Sequence, residues 1–188
     1  MKNLKSIALA LVVVLSTLSV TAQTKKVDAS KSSINWVGKK VTGQHNGTVN
    51  LKDGKLVFKG KKLVGGSFNV DMTSLTATDL QGEYQGKLNG HLKADDFFGT
   101  EKFPTAKLLF KKIGTKSPNV YTVTADLTIK GITKPVTFIM TVNGNTATTA
   151  FNVDRTKYGI KYNSKSFFES IGDKAIYDEF ELKVALKY

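Results

Sequence analysis

The chain has 188 residues, no cysteine and a formal net charge of +13 at pH 7. That length suits one domain with a core of its own, and the lack of cysteine excludes a disulfide scaffold, a thiol nucleophile and a cysteine-linked lipid anchor. Of 28 basic residues only Arg155 is arginine, so the bidentate base and phosphate contacts of a nucleic-acid reader are missing and no nucleic-acid partner is expected.

Lys2 and Lys5 precede an apolar run from Ile7 to Leu15, and small and hydroxyl residues follow up to Val20-Thr21-Ala22. This order predicts a secretory leader, residues 1–22, cleaved after Ala22. The apolar run falls short of the roughly 20 residues a membrane-spanning helix needs. The expected mature product is one domain over residues 23–188, periplasmic or secreted. Its lysines alternate with apolar positions. That predicts a solvated outer surface, with transient contact to an anionic membrane surface as the sharper alternative.

From Ser32 the pattern has a period of two. Ile34 and Trp36 face away from Ser33 and Asn35, and Val49 and Leu51 continue the alternation. Asp53-Gly54 reads as a hairpin turn before Leu56 and Phe58. Phe68, Val70 and Met72 share a face, and Gly65-Gly66 predicts a bulge or bend ahead of them. Leu80, Tyr84, Leu88 and Leu92 recur every fourth residue, the spacing of a helical stripe. Gly82, Gly86 and Gly90 share that spacing and cost a helix about 1 kcal/mol each. They predict a short helix or helical loop over about residues 80–98, its backbone lying close across one end of the fold.

The second half alternates more cleanly. Ala106, Leu108 and Phe110 are followed by Tyr121, Val123, Ala125, Leu127 and Ile129, opposite Thr122, Thr124, Asp126 and Thr128. A turn at Gly131-Ile132-Thr133 leads to Val136, Phe138, Met140 and Val142. Asn143-Gly144 carries a type I′ hairpin signal before Ala147, Thr149, Phe151 and Val153. Phe180, Leu182, Val184 and Leu186 close the chain. About nine short strands with tight turns, and no long helix to cover an open sheet, predict an all-β antiparallel barrel.

Catalytic and metal motifs are scarce. His45 and His91 lie outside any H-E-x-x-H pattern, and Gly65-Gly66-Ser67-Phe68-Asn69 lacks the last glycine of a nucleophile elbow. His91 with Asp95 and Asp96 is a thin ligand set for a metal, and a His bonded locally at a helix end explains it better. No cofactor and no catalysis are expected. Arg155 suits either a structural tie or a phosphate headgroup. The remaining feature is the inward set: Ile34, Trp36, Phe68, Val70, Met72, Leu108, Phe110, Val123, Leu127, Ile129, Phe138, Met140, Phe151, Leu182 and Val184. An eight-stranded barrel is either filled by such side chains or holds one small ligand, and composition does not choose between them.

Three motifs in order carry a family resemblance. Gly90-His91-Leu92-Lys93-Ala94-Asp95-Asp96-Phe97-Phe98 with Lys102-Phe103-Pro104-Thr105 resembles the "hLks.dFFd..kyPt" core of the YceI-like family. Ala125 to Val136 resembles its "GdLTihGvTkpV" hairpin, and Arg155-Thr156-Lys157-Tyr158-Gly159 its "R.dfG" element, with Tyr158 where Phe or Trp is more usual. The resemblance implies an exported, lipocalin-like barrel that is not an enzyme and holds a polyisoprenoid or another long-chain amphiphile. On that basis the strand residues above become lumen lining, Phe97, Phe98 and Phe103 guard one end, and Arg155 is the candidate headgroup contact. Two rivals stand beside the carrier: a structural or stress protein with a solid core, and a lipid-acting enzyme using His91 and an aspartate. The lipid's identity and the choice between monomer and dimer stay open.

Overall fold

The computed structural model describes residues 21–168 and 172–188, so the predicted leader, apart from Thr21 and Ala22, lies outside the described residues. Nine strands follow in order: β1 (Ala22–Lys26), β2 (Ser33–Lys40), β3 (Gly43–Lys59), β4 (Lys62–Ala77), β5 (Thr105–Ser117), β6 (Val120–Ile129), β7 (Ile132–Asn143), β8 (Thr146–Asp154) and β9 (Ile176–Lys187). The one α-helix among the described residues, α1 (Gly82–Lys93), joins β4 to β5.

Every pairing is antiparallel, in the order β1-β3-β2-β9-β8-β7-β6-β5-β4, and β3 also pairs with β4. Strands β2 to β9 therefore close into an eight-stranded barrel, and β1 is annexed to the far half of β3. The predicted alternation is visible as burial: in β6, Tyr121, Val123, Ala125, Leu127 and Ile129 are all buried while their neighbours are only partly so. One end of the barrel is packed shut by Val27, Leu56, Leu63, Tyr121 and the Phe58–Tyr188 ring pair, whose centroids lie 5.5 Å apart. The other end carries α1 and the segments around residues 94–104, 155–168 and 172–175.

Several local expectations are corrected. Asp53-Gly54 is no turn: β3 runs straight through it, with Asp53 opposite Asn69 and Gly54 opposite Phe68. The glycine is needed there for close approach, since a Cβ would stand 2.5 Å from the Phe68 ring. The turn instead falls at Gly60-Lys61, with Gly60 at φ +62°. At the β6–β7 connection Lys130 and Gly131 are the turn residues, both at positive φ, and Ile132 already belongs to β7. In the next hairpin Asn143 pairs with Thr146, so Gly144-Asn145 make the turn. Only Gly144 there has positive φ, the mark of type II′ rather than type I′.

The helix is present, but its glycines do not approach a neighbour. A Cβ on Gly82, Gly86 or Gly90 would meet open space. Tyr84 is 73% exposed, and the stripe makes contact only at its C-terminal end, through Leu88 and the buried Leu92. Side chains strap the helix down instead: Asn89 Oδ1 accepts from the Ala77 N–H at 2.8 Å, and Gln85 Nε2 donates to the Ala77 carbonyl at 2.7 Å.

Candidate functional site: an apolar barrel cavity

A cavity of about 160 Å³ runs inside the barrel. Of the predicted lining set, Ile34, Trp36, Phe68, Val70, Met72, Phe97, Phe98, Leu108, Leu127, Ile129, Phe138, Met140, Phe151, Leu182 and Val184 border it, and so does Arg155. Inward residues outside that set border it too: Val49 and Leu51 of β3, Leu75 of β4, Leu92 of α1, Ala106 of β5, and Phe180 and Leu186 of β9. The same alternation that marks Leu182 and Val184 marks Phe180 and Leu186, so the signal for these was already in the strand pattern.

Three expected lining residues lie elsewhere. Val123 is fully buried within the wall, out of reach of the cavity. Phe110 packs between Phe68 and Phe138, with centroids 5.6 and 6.0 Å away, and fills the space left by Gly66, where a Cβ would stand 2.7 Å from its ring. Phe103 does not border the cavity. Its ring packs on the β6–β7 turn, 3.3 Å from where a Gly131 Cβ would be.

The interior is hollow rather than filled. Val70, Leu108, Phe151, Phe180, Leu182 and Val184 all stand in the inward register, yet each is only partly buried. In a solid core they would be covered like Val123 and Ala125, both 0% exposed. The surface they leave uncovered faces the cavity. Its volume is close to that of the roughly 150 Å³ engineered cavity that stays dry and binds benzene. A longer chain has to push side chains aside, and the flexible Met72 and Met140 in the wall can move to admit it.

The mouth owes its shape to an irregularity in β9. Pairing with β2 passes from Gly38↔Phe180 to Lys40↔Ile176, leaving Tyr177, Asp178 and Glu179 unpaired on that side. Ile176, Tyr177 and Glu179 there border the cavity, opposite Leu92, Phe97 and Phe98. The aromatic segment is fixed from below by Lys130, whose Nζ donates to the Asp95 and Phe97 carbonyls at 2.7 and 2.8 Å. Phe98 meets Phe180 edge to face at 6.0 Å.

Arg155, 2% exposed, belongs to this mouth without being free for a headgroup. Its Nε donates to the Tyr177 carbonyl at 3.1 Å, Nη1 to Ile160 at 2.9 Å and Nη2 to Ile176 at 3.0 Å. Asp178 Oδ1 stands 3.7 Å from Nη2 and balances the buried charge. Burial lowers the Arg155 pKa from its ordinary value, with Asp178 and Asp154 opposing. The guanidinium thus ties the segment after β8 to the irregular start of β9. His91, in the last turn of α1, meets Tyr162 and Phe97 with centroids 4.4 and 5.3 Å away and its ring tilted 60° and 61° to theirs, and its buried Nε2 has no hydrogen-bond partner, contrary to the expected local bond. His45 lies in β3, its Nδ1 2.8 Å from Asp79 Oδ2. No group of three His, Asp or Glu side chains that could hold a metal occurs among the described residues.

The model of the YceI-like domain matches residues 26–188. The chain belongs to the YceI-like family. A UPF0312 protein of Shewanella denitrificans is 34% identical over 91 residues, covering 48% of this chain and 46% of that one. A UPF0312 protein of Staphylococcus aureus is 40% identical over 86 residues, covering 40% and 47%. The matched stretches thus span about half the length of these relatives. Among solved structures, Burkholderia cenocepacia BcnA superposes with a TM-score of 0.68 at 23% identity, covering 85% of this chain and 98% of its own. A polyisoprenoid-binding domain from Saccharophagus degradans, implicated in plant cell wall breakdown, gives 0.57 at 14% identity, covering 86% and 95%. At these identities the structural likeness establishes the shared YceI-like barrel.

Proposed function

We propose that this YceI-like barrel is a non-enzymatic carrier that holds the hydrocarbon chain of a long-chain amphiphile, a prenyl or fatty-acyl lipid, in its cavity. One observation carries the reading: inward apolar side chains that in a solid core would be covered instead border a space lined almost wholly by carbon. Each CH₂ buried there is worth about 0.8 kcal/mol. A sugar or nucleotide would leave its polar groups unpaired against that wall. The polyisoprenoid-binding neighbour supports the same class of ligand.

The mouth favours an uncharged head. Arg155 is committed to carbonyls, and Glu179, which borders the cavity, accepts from Asn152 Nδ2 at 3.0 Å and adds negative charge. A prenyl quinone or alcohol suits that rim better than a prenyl pyrophosphate. The carrier is exported, with the leader removed near Ala22; cleavage there leaves Gln23–Lys26 paired with β3. Organic extraction of the purified protein with mass spectrometry, followed by titration with fluorescent prenyl and acyl probes, tests the proposal. Absence of bound lipid together with no probe uptake would refute it.

A further inference from the structure

The closed end of the barrel gathers lysines that the sequence scatters. Lys25 and Lys26 of β1, Lys55 and Lys59 of β3, Lys61 in the following turn and Lys62 at the start of β4 are all exposed. The register sets Lys26 directly opposite Lys55, and Lys59 directly opposite Lys62. Like charges so placed oppose folding. The nearest acids in sequence are engaged elsewhere: Asp53 accepts from Asn69 Nδ2 at 2.8 Å and Asp28 pairs with Lys31 at 3.1 Å. Six other lysines engage Asp or Glu within 4 Å: Lys31, Lys87, Lys102, Lys111, Lys157 and Lys183. None of the six at this pole does so among the described residues.

We propose that this basic pole is a docking surface for an anionic phospholipid bilayer. Uncompensated like-charge pairs weaken the fold and become favourable once a dense anionic surface faces them. The residue type selects a membrane over a nucleic acid: lysines are point charges without the planar fork that reads bases and phosphates, and the sole arginine is buried at the opposite end. The chain path selects it as well. With the leader removed near Ala22, the chain begins at this pole in β1, and the new amino terminus beside Lys25 and Lys26 adds a further positive charge there. Docked this way, the barrel sits on the bilayer by its closed end and its mouth points away, free to exchange cargo with an acceptor across the compartment. The docking does not depend on which lipid is carried.

The test compares partition onto phosphatidylcholine vesicles with and without phosphatidylglycerol, by co-sedimentation. Wild-type protein should bind the anionic vesicles only, and lose them near 1 M salt, where the Debye length is about 3 Å. The triple variant Lys26→Gln/Lys55→Gln/Lys59→Gln should partition about 100-fold more weakly, at about fivefold per lysine. Its melting temperature should stay level or rise, because the opposed charges are gone. Phe167→Ser/Phe168→Ser, which removes exposed aromatics at the mouth end, should bind like wild type. Equal partition of the triple variant overturns the proposal. So does loss of binding in the mouth variant, or retention on duplex DNA without vesicle binding. Uptake of a prenyl probe from detergent, measured on the same variants, separates failure of docking from failure of carriage.

Discussion

Replacing Val184 by phenylalanine turns the hollow interior into a measurable sign. Val184 lies mid-strand in β9, opposite Ile34 and Thr149, and borders the cavity while only partly buried. In a filled core, four added carbons would overpack the site and cost about 1–3 kcal/mol. In a cavity of about 160 Å³ the ring has room and buries apolar surface instead. The melting temperature should therefore hold or rise by a few degrees, since about 1 kcal/mol corresponds to roughly 2–4 °C for a chain of this size. Ligand binding should move the other way. The ring displaces about four carbons of the bound chain, at about 0.8 kcal/mol each, so probe affinity should fall by about 200-fold. Calorimetry and a fluorescent prenyl titration read the two effects. A clear drop in melting temperature with unchanged probe affinity would refute the reasoning, since the interior would then be a packed core and the ligand site elsewhere.

Gly86→Ala and Gly90→Ala should each stabilise the protein by up to about 1 kcal/mol in urea titrations, because both sit inside α1 with open space where the methyl group would go. Tyr158→Phe should be neutral or stabilising by about 1 kcal/mol, since the Tyr158 hydroxyl is buried without a partner. Burial, with Asp154 adding to it, pushes the Tyr158 pKa from 10.0 up to about 12. The neutral phenol is therefore the favoured folded form. Wild type should lose that contribution as pH rises from 10 through about 12, and the phenylalanine variant should not, as denaturation at matched pH values would report. Arg155→Lys should cost about 3–5 kcal/mol by chemical denaturation: an ammonium cannot span the Tyr177, Ile160 and Ile176 carbonyls, and Asp178 is left near an ill-placed charge.

Much of the barrel is legible in the chain. Strict alternation from Tyr121 to Ile129 fixes which face of β6 turns inward, and the Phe97-Phe98 and Arg155 motifs mark the mouth. The misreadings share one cause: a local signal has more than one structural use. Asp53-Gly54 is strong turn chemistry, yet here the glycine yields space to Phe68 across the strand pair. Glycines every fourth residue suggest a close helix contact, yet those of α1 face solvent. A lone arginine beside an apolar cavity suggests a headgroup clamp, yet the carbonyl of Ile160 and those of Ile176 and Tyr177 at the start of β9 consume it.

By itself the sequence determined the closed antiparallel barrel, the apolar character of its lumen and the aromatic segment at its open end, because period-two patterning and turn residues are properties of neighbouring positions. Whether that lumen is hollow was decided only in three dimensions. Emptiness depends on how far side chains from eight strands reach across the barrel, and no single strand encodes that sum. The basic pole has the same origin. Lys26 and Lys55 are distant in sequence and become directly opposed only through the register of β1 on β3.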